Sequence, residues 1–213
     1  MIIRRDTPFG RFYETEAGVF PSVTTVLGSV PNPHIQAWRD SMGHEAADLY
    51  TRRAAARGTR LHAYCEAFLL KEELPKLDVF DRHFFKGIDS VLEEIKPIAV
   101  EKFAYSRDLK VAGAIDCICK FRGKLCILDF KTASKQKFDG EFDSYWMQTA
   151  AYANMIEDQF DLKIEDLCIV MQSEQTTDIF FQKREEWEVK FREIRRSYVF
   201  DQEALDKFLE ENH

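Results

Sequence analysis

The chain has 213 residues, a formal net charge of −7 and 45% hydrophobic residues. This length supports one sizeable hydrophobic core and is marginal for two, so we expect a single domain over residues 1–213. The net negative charge excludes a protein that coats nucleic acid by bulk electrostatic attraction. No apolar stretch approaches the roughly 20 residues of a membrane span, and the N-terminus lacks a signal-peptide core. We therefore expect a soluble cytoplasmic protein with no membrane partner.

The first part of the chain reads as a short hairpin followed by helices. Apolar and turn residues predict a hairpin over residues 11–22, which ends in a turn or helix start near Ser22. The composition of residues 34–70 is helical, with Gly43 and Gly58 as expected interruptions, and a further helix is predicted over residues 79–95.

The second part of the chain combines strands with helices. The predicted elements are a strand at 98–105, two apolar strands at 111–121 and 124–132, a loop through residue 140, a helix at 144–158, strands at 166–172 and 177–182, and a charged helix from 184 with a break near 200. This order predicts an α/β fold with a mixed central sheet flanked by helices and an N-terminal helical region. We assign 1–97 to the hairpin and helices, 98–182 to the sheet core and 183–213 to the C-terminal helix.

The two central apolar strands carry charged residues in a defined register. If Arg122 and Gly123 form a two-residue turn, Asp116 lies directly opposite Asp129. Because side chains alternate along a strand, Lys131 points to the same face as Asp129. The sequence therefore brings two carboxylates and an ammonium group together.

Two opposed carboxylates destabilise a sheet unless positive charge lies between them. Oxygen ligands bind Mg²⁺ at roughly 2.0–2.1 Å, so the pair predicts a divalent-metal site. Lys131 is then placed to orient a hydrolytic water and to stabilise developing charge. An Asp-x-Lys at a strand end is often only a solvated charge, but the second carboxylate in register and the apolar surroundings favour a site.

The cysteines favour reduced, buried thiols over a disulfide framework. Their number is odd and they lie mostly in apolar runs; they are Cys65, Cys117, Cys119, Cys126 and Cys168. Strand alternation turns Cys117 and Cys119 towards the packed side, together with Ile115 and away from Asp116. Their spacing matches no iron–sulfur pattern, so we expect no cluster.

Two helical pairs have the spacing of one helix face. His62 and Glu66 are four residues apart, and so are Gln148 and Tyr152. In isolation each of these residues is more often a packing, capping or solvated group than a ligand. Taken together with the carboxylate strands, the two pairs favour a role in the site over a packing, capping or solvated role.

Local basic patches offer contacts for a phosphate backbone in spite of the negative net charge. They comprise Arg52, Arg53, Arg57 and Arg60 on the helix before His62, and Lys131, Lys135 and Lys137 after the second carboxylate strand. The alternative is an ordinary solvated helix face. We select Arg57 and Arg60 as candidates for DNA contact.

Four ordered motifs carry a resemblance to a known family. They are Gly-Thr-Arg-Leu-His at 58–62, Ala-Gly-Ala-Ile-Asp at 112–116, Leu-Asp-Phe-Lys-Thr at 128–132 and Gln-Thr-Ala-Ala-Tyr at 148–152. In this order they resemble the PD-(D/E)xK nuclease superfamily, in the RecB-like exonuclease branch of stand-alone phage nucleases and mitochondrial genome maintenance exonucleases. The resemblance implies a restriction-endonuclease-like core and covers roughly residues 21–182.

The resemblance implies a metal-dependent catalytic site. By it, Asp116 and Asp129 hold Mg²⁺ or Mn²⁺, with the Phe130 carbonyl as a further ligand and Lys131 assisting the hydrolytic water. His62 matches the family's motif histidine, which lies near the metal and is a candidate ligand.

The resemblance also implies roles around the metal. Gln148 and Tyr152 match a motif helix that shapes the site and contacts DNA. Glu66 and Glu101 have less certain counterparts and are second-shell or second-metal candidates.

The implied activity is a DNA exonuclease acting on single-stranded or frayed ends in repair, recombination or replication, with a helicase or recombinase partner. For a phage protein the location is the host cytoplasm. The alternatives are an endonuclease of the same fold, structure-specific or restriction-like, and a DNA-binding or assembly module without turnover.

Overall fold

The structure, a computed structural model that describes residues 2–134 and 142–212, begins with a small antiparallel sheet. Its strands pair in the order β1 (Ile3–Thr7), β2 (Gly10–Thr15) and β3 (Gly18–Pro21). The hairpin of β2 and β3 is confirmed, whereas β1 was not predicted. The helix start at Ser22 is also confirmed, because the Ser22 Oγ accepts a hydrogen bond from the Thr25 N–H at 2.9 Å and caps α1 (Val23–Gly28).

The helical stretch that follows is broken once and not twice. Helix α2 (Pro33–Met42) ends at Gly43, whose φ of 86° is accessible to glycine at little cost. Helix α3 (His44–Leu70) continues through Gly58, so the predicted interruption there is wrong. A Cβ at Gly58 would lie 4.0 Å from the Thr132 Oγ1, which shows that this residue faces the central sheet. Tertiary packing therefore sustains the helix at a residue of low intrinsic propensity.

The helix predicted over residues 79–95 is also wrong as a single element. Two short helices, α4 (Val79–Phe84) and α5 (Ile88–Glu94), are separated by Gly87 at a φ of 92°. Phe84, Phe85 and Ile88 are buried around this turn, and the left-handed conformation of Gly87 is what separates the two helices.

A five-stranded mixed sheet forms the centre of the fold. Its strands, in spatial order, are β4 (Lys96–Ser106), β5 (Val111–Phe121), β6 (Lys124–Thr132), β7 (Asp166–Gln172) and β8 (Thr177–Lys183). All neighbours are antiparallel except β6 and β7, which are parallel and are joined through α6 (Asp143–Phe160). The loop predicted through residue 140, with Lys135 and Lys137, lies outside the described residues. The predicted mixed α/β architecture is confirmed.

Helices cover both faces of this sheet and create two apolar layers. On one face α6 packs with Trp146 and Met155 inward, and on the other α3 packs with Leu61 and Cys65 inward. All five cysteines are buried, as predicted, and each belongs to the layer beneath α3. Burial on both faces explains why β6 and β7 read as nearly continuous apolar runs.

Two helices close the chain, and the first of them packs against α6. They are α7 (Arg184–Ser197) and α8 (Gln202–Glu211), so the predicted break near residue 200 is confirmed. Arg184 is buried and forms ion pairs with Glu157 at 2.5 Å and with Glu188 at 2.7 Å, which ties α7 to α6. Among the described helices, none is long and apolar enough to cross a membrane.

Candidate active site

The carboxylate strands pair in the predicted register. Arg122 and Gly123 both have positive φ angles, 48° and 80°, as a tight two-residue hairpin turn requires. Paired positions run from Phe121–Lys124 at the turn to Cys117–Leu128. The ladder ends there, one position before Asp116 and Asp129 would pair.

The structure is distorted where the next pair would have formed. The Asp116 Oδ2 accepts a hydrogen bond from the Phe130 N–H at 2.8 Å, so a side chain takes the place of a strand partner. On the other side of β5, Glu101 has a φ of 47°, and the β4–β5 ladder omits the Glu101–Asp116 pair. As a result, Ile115 packs in the layer beneath α6 and Cys117 in the layer beneath α3. The prediction that these two share a face is wrong.

A chain of polar contacts joins β6 to α6. The Lys131 Nζ lies 2.5 Å from the Asp129 Oδ2, which confirms that the two side chains share a face. The Gln148 Nε2 donates to the Asp129 Oδ1 at 3.1 Å and to the Tyr152 Oη at 3.0 Å, and its Oε1 accepts from the Lys131 Nζ at 3.1 Å. The helical pair Gln148 and Tyr152 therefore stands against the carboxylate strand.

Three potential metal ligands converge at Asp116. One ligand atom from each of His62, Glu101 and Asp116 lies within 4.8 Å of the other two. The His62 Nδ1 is 3.3 Å from the Asp116 Oδ1. These side chains come from α3, β4 and β5, so the cluster exists only in the folded chain.

Asp129 lies beside this cluster and not within it. The sequence predicted Asp116 and Asp129 as the two carboxylates around one cation, but the second carboxylate of the described cluster is Glu101. The resemblance gave Glu101 no certain counterpart and made it a second-shell or second-metal candidate, and its approach to Asp116 depends on the β4–β5 register. The available sequence signal was a single acid within the apolar Ile-Ala-Val-Glu run of β4.

Burial and mutual repulsion make Glu101 and Asp129 hard to ionise. Burial, reinforced by Asp116 and Glu66, raises the pKa of Glu101 to about 7. Burial raises the pKa of Asp129 to about 6, although Lys131 opposes the shift. Such raised values mark a place where added positive charge is favourable.

The charged forms of His62, Lys131 and Asp116 are instead stabilised by their neighbours. Burial opposes the charged form of His62, but Asp116 outweighs it and raises the pKa of His62 to about 9. The pKa of Asp116 is lowered, because His62, Lys131 and the Phe130 N–H outweigh its burial. Burial opposes the charged form of Lys131 as well, yet Asp129 keeps its pKa above the ordinary value.

The donor set fits a divalent cation. Carboxylate oxygens suit Mg²⁺ and Mn²⁺, and imidazole is accepted by transition metals. The Asp129 Oδ2 supports this fit, because it is buried and, apart from its ion pair with Lys131, makes no hydrogen bond to the part of the chain that the structure describes. Ligands about 2.1 Å from one ion are at most about 4.2 Å apart. The three candidate ligand atoms lie within 4.8 Å of one another and are thus close to coordination distance.

The cluster opens into a cavity of about 630 Å³. Gly58, His62 and Glu66 of α3 line one side of it, and Gln148 and Tyr152 line the base. The N-terminal sheet contributes further lining residues that the sequence did not indicate, namely Arg4, Arg11 and Tyr13.

The structure places Arg57 and Arg60 away from this cavity. The Arg60 Nε lies 2.7 Å from the Asp81 Oδ2, and the Arg57 guanidinium lies 4.4 Å from the centre of the Phe84 ring. Both side chains therefore face α4, and neither lines the cavity. Helix periodicity turns them away from the face of α3 that carries His62. This location does not support the predicted DNA contact.

Comparison with known proteins identifies the class. The model of the PD-(D/E)XK nuclease superfamily matches residues 34–212. The chain belongs to this superfamily, which supports its assignment as a nuclease.

Relatives that are similar in sequence carry the name of an exonuclease. Mitochondrial genome maintenance exonuclease 1 of Mus musculus is 30% identical over 130 residues, covering 55% of this chain and 38% of that protein. The Homo sapiens protein of the same name is 25% identical over 167 residues, covering 72% of this chain and 48% of that protein. The chain thus spans less than half the length of these relatives. The crystal structure of SSO0001 aligns with a TM-score of 0.41 at 16% identity, over 82% of this chain and 72% of that one.

Gly113 allows Tyr152 to approach the site, and its replacement tests this packing. A Cβ at Gly113 would lie 2.9 Å from the Tyr152 Cε1. We expect Gly113→Ala to displace the ring, to weaken its contact with Gln148 and to lower the free energy of unfolding by about 1–2 kcal/mol. Gly28→Ala is the matched control, because nothing lies within 4 Å of its Cβ position. Urea denaturation of both variants measures the difference, and a Gly113→Ala protein as stable as the Gly28→Ala protein contradicts it.

Proposed function

We propose that this protein is a divalent-metal-dependent deoxyribonuclease that hydrolyses phosphodiester bonds. The observation that carries the proposal is the convergence of His62, Glu101 and Asp116 beside the Asp129–Lys131 pair. Residues 1–213 form one nuclease domain in this proposal. Superfamily membership supports the reaction class, and the donor set supports the metal.

The cation is held around Asp116. Asp116 and Asp129 would be its carboxylate ligands, Glu101 of β4 and His62 of α3 would complete the set, and the main-chain carbonyl of Phe130 would be a further ligand. Mg²⁺ or Mn²⁺ bound there would polarise the phosphate and lower the pKa of a bound water. His62, Lys131 and the Phe130 N–H lower the pKa of Asp116 in spite of its burial and so favour its carboxylate form.

Lys131 supplies a fixed positive charge next to the metal ligands. Its ammonium is held by Asp129 and by the amide oxygen of Gln148, so its direction is set before substrate binds. A preorganised cation stabilises negative charge that develops on the phosphate and orients the attacking water. Gln148 acts as a positioning residue, because its amide contacts both Asp129 and Lys131 and is itself bonded to Tyr152.

The proposed substrate is a single-stranded or frayed DNA end, which the enzyme degrades as an exonuclease in repair, recombination or replication, with a helicase or recombinase as partner. The names of the curated relatives support the exonuclease. The second candidate is an endonuclease of the same fold. A DNA-binding module without turnover is disfavoured, because a cluster of buried acids is costly to keep without a cation.

Replacement of the ligands and of the lysine tests the catalytic site. We expect Asp116→Asn, Asp129→Asn and Lys131→Met each to lower metal-dependent cleavage of labelled DNA by about a thousandfold or more, since each removes several kcal/mol of charge stabilisation. Glu94→Gln is the control, because Glu94 is an exposed acid paired with Arg122 at 2.9 Å, outside the site. Full metal-dependent activity of the Asp116→Asn protein would refute the assignment.

A covalently closed single strand distinguishes the two nuclease modes. We expect the wild-type protein with Mg²⁺ or Mn²⁺ to degrade a linear single strand and to leave the circle of the same sequence intact, because an exonuclease requires an end. Gel electrophoresis of both substrates measures this difference. Cleavage of the circle at a comparable rate would favour the endonuclease.

A further inference from the structure

The cavity at the metal cluster has an uneven distribution of charge. The acids Glu66, Glu101 and Asp116 line it on the side of α3 and the central sheet. Its lining arginines are Arg4 and Arg11, both from the N-terminal sheet. A phosphodiester strand entering the cavity therefore meets acids from α3 and the central sheet and guanidinium groups from the N-terminal sheet.

The register of the N-terminal sheet brings the two arginines together. Arg4 pairs with Tyr13 and Asp6 pairs with Arg11, so all four side chains share one face. The Asp6 carboxylate joins the two cations, with the Arg4 Nη2 at 2.7 Å from Oδ2 and the Arg11 Nε at 3.1 Å from Oδ1. Both arginines remain substantially exposed, and such exposed ion pairs are weak enough for a phosphate to compete.

An aromatic side chain of the central sheet lies next to the N-terminal sheet. Phe103 of β4 is 44% exposed and lines the cavity, and its ring centre is 6.1 Å from that of Tyr13. An exposed aromatic ring beside cationic groups is the combination by which proteins bind single-stranded nucleic acid, through base stacking and phosphate contacts.

The face of the N-terminal sheet that carries Arg4 and Arg11, the arginine face, is held against the central sheet by packing and hydrogen bonds. Tyr13 and Phe20 of the small sheet pack in one buried cluster with Tyr105 and Ala112 of the central sheet. Ser22 forms a bridge with Ala112, and its N–H donates to the Arg11 carbonyl at 2.8 Å. The N-terminal sheet is thus attached to β5 at Ala112, four residues before Asp116.

We propose that Arg4, Arg11 and Phe103 form a substrate subsite that holds the single strand next to the metal cluster. Arg4 and Arg11 bind backbone phosphates through charge-assisted hydrogen bonds, and Phe103 stacks with a base. The inference rests on the proposed nuclease function and extends it to residues that the family match does not assign. The match begins at residue 34, after the N-terminal sheet, and the arginines lie before that point.

The salt dependence of binding tests the phosphate contacts. Fluorescence anisotropy with an end-labelled oligothymidylate, with divalent metal chelated so that the strand stays intact, gives the dissociation constant at several salt concentrations. Each phosphate contact to a single strand contributes about 0.7 to the slope of log K against log salt. We expect Arg4→Gln and Arg11→Gln each to reduce the slope by about 0.7 and the double variant by about 1.4, whereas Arg11→Lys retains the slope.

Arg5 provides the matched control. It belongs to β1 like Arg4 but lies on the opposite face, where its Nε is 2.5 Å from the Glu14 Oε1. Arg5→Gln should leave the slope unchanged, which separates a directed contact from a general loss of positive charge.

For the stacking contact, Phe103→Leu should weaken binding by about 5- to 100-fold with no change in slope. Thermal denaturation of each variant confirms that the chain is folded.

The outcomes separate the subsite from the nuclease. Wild-type protein that cleaves DNA with metal, together with Arg4 and Arg11 variants whose slopes equal that of wild type, overturns the subsite and leaves the nuclease intact. An equal loss of slope in the Arg5→Gln control also overturns it. Wild-type protein that neither binds nor cleaves DNA overturns both.

Discussion

Three carboxylates lie close together in a largely buried space, and this concentration of negative charge shapes the site. Glu101, Asp116 and Asp129 influence one another, and burial together with mutual repulsion raises the pKa of Glu101 and Asp129 towards neutrality. Lys131 and His62 supply partial compensation. The energetic cost of the cluster is the physical reason to infer a cation, because a divalent ion replaces the missing positive charge.

The layers of the fold each hold one part of this arrangement. Helix α3 carries His62, the central strands carry the acids, and α6 carries Gln148 beneath the Asp129–Lys131 pair. The distortion of β5 at Asp116 turns the carboxylate into contact with the Phe130 N–H and frees its other oxygen for His62. Glu101 completes the cluster from a left-handed backbone conformation, which costs of order 1 kcal/mol or more for a residue that is not glycine. Strain is thus placed at the site itself.

Local sequence patterns correctly predicted the register of the carboxylate strands and the side chains that share one strand face or one helix face. A two-residue turn at Arg122 and Gly123 fixed the register of β5 and β6, alternation placed Lys131 beside Asp129, and helix spacing paired Gln148 with Tyr152. These rules depend only on neighbours along one strand or helix.

The remaining features depend on contacts between distant elements, which local sequence patterns do not predict. Glu101 reaches Asp116 only through the β4–β5 pairing, and α3 runs through Gly58 only because it packs on the sheet. The direction of Arg57 and Arg60 depends on where α4 packs, and the arginine face of the N-terminal sheet requires β1, which the sequence did not reveal. Hydrophobic periodicity indicates which residues form an element, and packing decides what that element faces.

We propose that Asp116 organises a divalent-cation site with the side chains around it. Anomalous diffraction from crystals soaked in Mn²⁺ tests this proposal, because the signal locates the ion without reference to activity. We expect an anomalous peak within about 2.0–2.4 Å of a carboxylate oxygen of Asp116, with at least one further ligand from Glu101, Asp129 or His62. A fully soaked crystal with no peak at Asp116, or with its strongest peak at another acidic cluster, would rule the site out.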